Sequence, residues 1–168
     1  MGNRIMITGL GFAHPETFVT TAEVCAYFGV SEKAEDFEQR FFMHQRPLWW
    51  DSGKPRSVEW PGTTLAVEAG RQALAMAGVR PEDVTNVFHI SCTPDRLHFQ
   101  ADAYRIVEQC GLYQASCLQF DLGCGGIAPA LLTASQLLGT GAARPVRGRR
   151  VGRALSLRPL RDRGWARK

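Results

Sequence analysis

The chain has 168 residues, 45% of them hydrophobic and 21% charged, an ordinary composition for one soluble globular domain with a core of its own. No apolar run reaches the ~18–20 residues of a membrane span, and Met1-Gly-Asn-Arg4 lacks the apolar stretch of a signal peptide, so no membrane partner is expected and the cytoplasm is the simplest compartment. The net charge of +4 hides an asymmetry: residues 144–168 carry nine Arg, one Lys and one Asp, whereas residues 1–143 hold ten basic and fifteen acidic side chains.

Along the chain, Arg4–Phe12 alternates enough to predict a first strand, followed by a loop over His14–Thr21 that ends in a Thr N-cap for a helix at Ala22–Phe28. A second short helix is predicted over Ser31–Phe42 with Ser31 as its cap. Met43–Pro61 has no clear period and reads as an ordered surface loop, because Trp49, Trp50 and Trp60 are costly to leave in water. Thr63–Gly78 is the clearest helix, with Leu65, Ala69, Ala73, Leu74 and Ala77 at helical spacing and Gly78 as its stop. Arg80–Val84 reads as a turn, and Asn86–Ile90 as a strand of the kind buried in a parallel sheet. A helix over Gln100–Cys110, a strand over Cys117–Asp121 and a helix over Gly125–Leu138 complete the alternation. Strand and helix in turn imply an α/β fold around one largely parallel sheet.

The segment around Cys124 carries the chemistry. A buried strand runs through Gly123, Cys124, Gly125 and Gly126 into an apolar helix, which places the thiol at a helix N-terminus. Unsatisfied backbone N–H groups and the helix dipole there favour thiolate over thiol, and cysteines so placed can have pKa values of roughly 3.5–7.5 in place of about 8.5. Glycines on both sides leave room around the sulfur, so Cys124 is a candidate nucleophile. The competing reading is plain packing, since free Cys is among the most buried residue types. That reading fits Cys25, Cys92, Cys110 and Cys117, which sit in helix- or strand-like runs without flanking glycines. Five cysteines without a C-x-x-C pair or metal-type spacing to His argue against a disulfide framework and a metal site.

Four motifs then carry a resemblance: Ile7-Thr-Gly-Leu-Gly-Phe-Ala-His-Pro15, Thr64-Leu-Ala-Val-Glu-Ala-Gly-Arg-Gln-Ala-Leu74, Ser91-Cys-Thr-Pro-Asp95, and Phe120-Asp-Leu-Gly-Cys-Gly-Gly126 leading to Gly141-Ala-Ala143. Through them residues 1–143 resemble the N-terminal half of the thiolase superfamily, in particular ketoacyl-acyl-carrier-protein synthase III. The resemblance implies a thiolase-like layered fold and an acyltransferase in which Cys124 takes an acyl group from a thioester before condensation with a malonyl thioester. It implies no bound cofactor, with coenzyme A or acyl-carrier-protein thioesters as substrates and a homodimer as the full-length form. The Cys124 N–H, with the turn Gly123, Gly125 and Gly126, would hold the thioester oxyanion. Preorganised donors of that type are worth roughly 3–4 kcal/mol of barrier. Thr93 and Phe99 would shape the acyl pocket, Phe99 across a dimer interface or, equally, as core packing. Arg40 and Arg46 would touch coenzyme A or the carrier's phosphopantetheine, against the simpler alternative of solvated loop arginines.

The chain also departs from that pattern. Most such synthases place alanines around the cysteine where this chain has Gly-Cys-Gly-Gly. The family's His and Asn come from a second half, and none of His14, His44, His89 or His98 matches them, so a catalytically dead fragment is the alternative to an acyltransferase. After Ala143 the family continues with a hydrophobic strand, whereas this chain gives the Arg-rich residues 144–168. Arg, Gly and Pro codons are G/C-rich, and a reading frame one nucleotide later yields Val, Ala, Asp and Leu. The tail is therefore expected to be an out-of-frame or disordered segment. Read at face value it is a third option, a non-specific nucleic-acid arm without aromatic interleaving.

Overall fold

The computed structural model describes residues 5–97 and 100–142. Phe99, His98 and the basic tail over residues 144–168 lie outside the described residues, and with them the expectations attached to those positions. The described elements run β1 (Thr17–Thr20), α1 (Thr21–Phe28), α2 (Ala34–Phe41), β2 (Gln45–Leu48), β3 (Trp50–Asp51), β4 (Lys54–Pro55), α3 (Pro61–Ala77), β5 (Asn86–Ile90), α4 (Ala101–Cys110), β6 (Ser116–Phe120) and α5 (Ile127–Thr140).

The second half of this order follows the sequence pattern closely. Pro61 opens α3, where its missing N–H costs nothing, and Gly78 closes it in the left-handed conformation, its N–H and that of Val79 bonding back to Ala75 and Leu74. Gly111 ends α4 in the same way. β5 and β6 pair in parallel, with Asn86 opposite Ser116 and Ile90 opposite Phe120, and α4 is the crossover between them. The core lies between α3 and α4 beneath this pair: Val67, Ile106, Cys110 and Leu112 are buried, with Leu74, Val84, Val87 and Val107 packed around them. The Cys110 thiol sits 3.7 Å from the Val67 carbonyl, and burial pushes it up.

The first half corrects several expectations. The segment after residue 4 is not a strand but irregular backbone lying along α3. Its N–H groups go to helix side chains, Leu10 to Met76 Sδ at 3.2 Å and Phe12 to Gln72 Oε1 at 3.1 Å, where a strand would give them to a sheet neighbour. A β-carbon on Gly11 would run into the Ala69 backbone, so the glycines that interrupt the alternating pattern serve close approach to the helix. Ile7, Leu10 and Phe12 are left exposed.

The loop expected over His14–Thr21 contains β1, which pairs antiparallel with β2. α1 begins one residue earlier than expected, at Thr21, and its cap is Thr20, which forms with Glu23 a reciprocal capping box that also holds the Glu23 carboxyl below its ordinary range. α2 is shorter than predicted and starts after Lys33, without Ser31 as cap. Met43–Pro61 is not a plain loop: it holds β2 and the small β3–β4 ladder, short pieces that Pro47 and Pro55 disguise in sequence. Trp50 is buried there against Tyr27, as its size demands. The parallel sheet is thus represented among the described residues by β5 and β6, and the other two pairs are antiparallel.

Candidate functional site

Parallel pairing puts the C-terminal ends of β5 and β6 side by side, and both chains turn there into the candidate site. The ladder runs one step past β5, where the Ser91 N–H meets the Phe120 carbonyl at 3.2 Å. Cys92 follows, and then Thr93, whose N–H bonds to Ser91 Oγ at 3.0 Å to form a side-chain turn. From β6 the chain passes Asp121 and Leu122 into a single 3-10 turn, Gly123–Gly126, that runs straight into α5. Cys124 stands exposed in that turn. Neither Leu122 before the turn nor Gly126 before α5 supplies a side-chain cap.

Two of the three flanking glycines are demanded by the geometry. Gly123 has φ +56°, a left-handed conformation that other residues rarely take. At Gly126 a β-carbon would collide with Ile90 Cγ2, so only glycine lets the turn press against β5. Gly125 faces open space, which leaves an approach to the sulfur from that side.

The thiols differ in their surroundings. Cys25 and Cys110 are buried, and burial pushes Cys117 up. Cys92 was expected to be one of the packing cysteines. It is instead exposed, with its sulfur 3.9 Å from where a β-carbon on Gly123 would sit. Its pKa is raised, first by a hydrogen bond with the Cys124 thiol and then by desolvation and the charges of Cys124 and Asp121. Sequence reading missed this neighbour because nothing in spacing shows that residues 92 and 124 end adjacent strands until the pairing of β5 with β6 is known.

Thr93 lines an open cavity of about 540 Å³ with Pro47, Trp49, Pro61 and Leu65, beside Asp95. Asp95 anchors this loop: its carboxylate accepts from the N–H groups of Gly62 at 3.0 Å and Thr63 at 2.7 Å in the first turn of α3. Asp102, almost wholly buried, accepts from the N–H groups of Asp95 at 2.7 Å and Arg96 at 3.1 Å. His89 on β5 lies 3.9 Å from Asp102, and burial lowers its pKa against the opposing pull of Asp102 and Asp95. Neither acid was singled out from the sequence, although Asp95 closes the Ser91–Asp95 motif.

The two arginines lie elsewhere. Arg40 is on α2, paired with Glu32 and stacked at 4.9 Å over the Phe41 ring. Arg46 is on β2 and turns inward to Thr21 Oγ1 at 2.7 Å. Both belong to the corner built by α1, α2, β1 and β2, and their hydrogen bonds go to Glu32 and Thr21, not to the turn that carries Cys124. Among the described residues no three or more His, Cys, Asp or Glu side chains are grouped to hold a metal ion. No described helix is long and apolar enough to cross a membrane.

No protein-family model matches the chain. It is 35% identical over 143 residues to a β-ketoacyl-acyl-carrier-protein synthase III of Erythrobacter litoralis, covering 84% of this chain and 41% of that protein. Among solved structures, a priming β-ketosynthase of a polyketide biosynthetic pathway superposes with a TM-score of 0.69 at 23% identity, over 86% of this chain and 42% of that one. A tetronic acid condensing enzyme superposes with a TM-score of 0.62 at 32% identity, over 79% of this chain and 39% of the other. The chain therefore spans about two-fifths of the length of the relatives it matches. Sequence and fold together make the described residues a thiolase-like unit related to the N-terminal part of ketoacyl-acyl-carrier-protein synthase III.

Proposed function

We propose that this chain carries the acyl-accepting step of a ketoacyl synthase III-like condensing enzyme, acting in the cytoplasm on coenzyme A or acyl-carrier-protein thioesters. The Cys124 sulfur attacks the thioester carbonyl, a new carbon–sulfur bond forms, and the donor thiol leaves with the proton. The N–H groups of the turn Gly123–Gly126 are the donors assigned to the oxyanion that forms at the carbonyl oxygen. Thr93, on a loop held by Asp95, is the residue assigned to the acyl pocket, although the cavity it lines includes no residue of the Cys124 turn. One observation supports this reading above the rest: an exposed cysteine in a glycine turn between a parallel strand and a helix, in a thiolase-like chain with ketosynthase relatives.

A second reading, a unit that accepts acyl groups without completing condensation, is favoured by the histidines. His14 bonds to the Pro15 carbonyl, His44 to Glu38, and His89 lies against Asp102, so these three histidines have their partners away from the Cys124 turn. In the family as the resemblance implies it, a His and an Asn from a further half stabilise the carbanion equivalent left when malonyl loses carbon dioxide. The homodimer and the contacts of Phe99, Arg40 and Arg46 with a partner or carrier belong to the same full-length form.

The test is acylation followed by intact mass measurement. With a short-chain acyl-coenzyme A, the 168-residue protein should gain one acyl group, and Cys124→Ala should gain none. An acyl group retained in Cys124→Ala overturns the assignment of the nucleophile. Steady consumption of malonyl thioester by the same protein overturns the second reading and leaves the first.

A further inference from the structure

Two exposed thiols, Cys92 and Cys124, follow the C-terminal ends of one parallel strand pair. Cys92 lies two residues beyond Ile90, and Cys124 four residues beyond Phe120, the residue paired with Ile90. Strands so paired run about 4.7–4.9 Å apart, so the two exits leave the ladder as neighbours. The Gly126–Ile90 contact draws the cysteine turn down onto β5, and the Cys92 sulfur lies 3.9 Å from a β-carbon position on Gly123, the residue next to Cys124. The remaining thiols are apart from this edge: Cys25 is in α1, Cys110 ends α4 in the core, and Cys117 is inside β6.

We propose that Cys92 is a resolving cysteine for Cys124, and that hydrogen peroxide converts the pair to a reversible disulfide. The Cys124 sulfur attacks the peroxide oxygen, an S–O bond forms as the O–O bond breaks, and the leaving hydroxide takes up a proton as water. Cys92 then attacks the sulfenic sulfur, the S–S bond forms, and a second water departs. Two thiols lose two electrons and one peroxide is reduced to two waters. The result closes the exposed sulfur before it can oxidise further to sulfinic acid, a form that ordinary thiols do not reverse.

The experiment reads sulfur oxidation alone, so its outcome is separate from whether Cys124 accepts acyl groups. The 168-residue protein is treated with dilute hydrogen peroxide, free thiols are alkylated, and non-reduced proteolytic fragments are read by mass spectrometry. The expected result is loss of two titratable thiols, a cross-link between the peptides of Cys92 and Cys124, and full return of Cys124 labelling after reduction. In Cys92→Ala, Cys124 should pass to sulfinic acid at the same dose and should not recover. In Cys117→Ala the cross-link should persist. A cross-link to any other cysteine, or sulfinic acid at Cys124 in the unaltered chain without a disulfide, overturns the proposal without reference to how either variant folds.

Discussion

The Asp95 carboxylate accepts the N–H of Thr63, 32 residues earlier in the chain, at 2.7 Å, so a loop at the end of β5 caps the first turn of α3. α3 has no side-chain cap from its own N-cap residue, Trp60, and draws it from a distance. Burial pushes the Asp95 carboxyl up, but the hydrogen bonds from Thr63 and Gly62, with His89 nearby, outweigh burial and hold it below the ordinary range.

Asp95→Ala should therefore lower unfolding stability by about 1 kcal/mol, the usual cost of losing an N-cap, and should loosen the Thr93 loop. Because the folded carboxyl is depressed, its contribution is complete above the unfolded pKa and is lost as pH falls through the folded one. Denaturant titrations of both proteins should show their difference narrowing in acid, and a constant gap at all pH values would contradict it.

His89 gives the same sign in a higher window. Its imidazole is depressed by burial, so stability is complete above the unfolded value of about 6.5 and declines as pH falls from there toward the folded pKa. His89→Gln should flatten the fall in stability between neutral and mildly acidic pH. Unfolding midpoints measured across that range would decide it, with parallel slopes counting against the burial argument.

Among the five cysteines, iodoacetamide near neutral pH should label Cys124 first. Cys110 and Cys117 are held up by burial, Cys92 by its hydrogen bond with Cys124, and Cys25 is buried. Peptide mapping at partial modification gives the order, and Cys25 or Cys110 reacting ahead of Cys124 would remove the physical case for the turn.

Gly126→Ala should destabilise by roughly 1–3 kcal/mol, the cost of overpacking a tight contact, because its methyl group would meet Ile90. Gly125→Ala, facing open space, should cost much less. Thermal melts of the two variants compared side by side test the asymmetry. Equal losses would mean that the turn does not press on β5.

Where local chemistry and tertiary pairing agree, the sequence was easy to read. α3, β5, α4 and β6 fall within about two residues of their expected limits, because apolar periodicity and the stops at Gly78 and Gly111 say the same thing. The errors cluster where the partner decides. Residues 5–12 have a strand's alternation, yet their N–H groups face Met76 and Gln72 on a helix. β1 and β2 are four residues each, too short to leave a period, and Pro47 sits inside one of them. The site shows the same division. The Cys124 turn is local and was visible in its glycines, whereas the place of Cys92 depends on strand pairing and that of Asp95 on a helix far away in the chain.

The parallel register has a consequence for when the site comes into being. Asn86 must find Ser116, and the chain between them must close around α4, before Cys92 and Cys124 stand together. A slip of one residue would send alternate side chains to the opposite face and separate the exits of the two strands. During folding the two cysteines are thus independent thiols until this long-range closure is complete, and they become neighbours in the same event that joins β5 to β6.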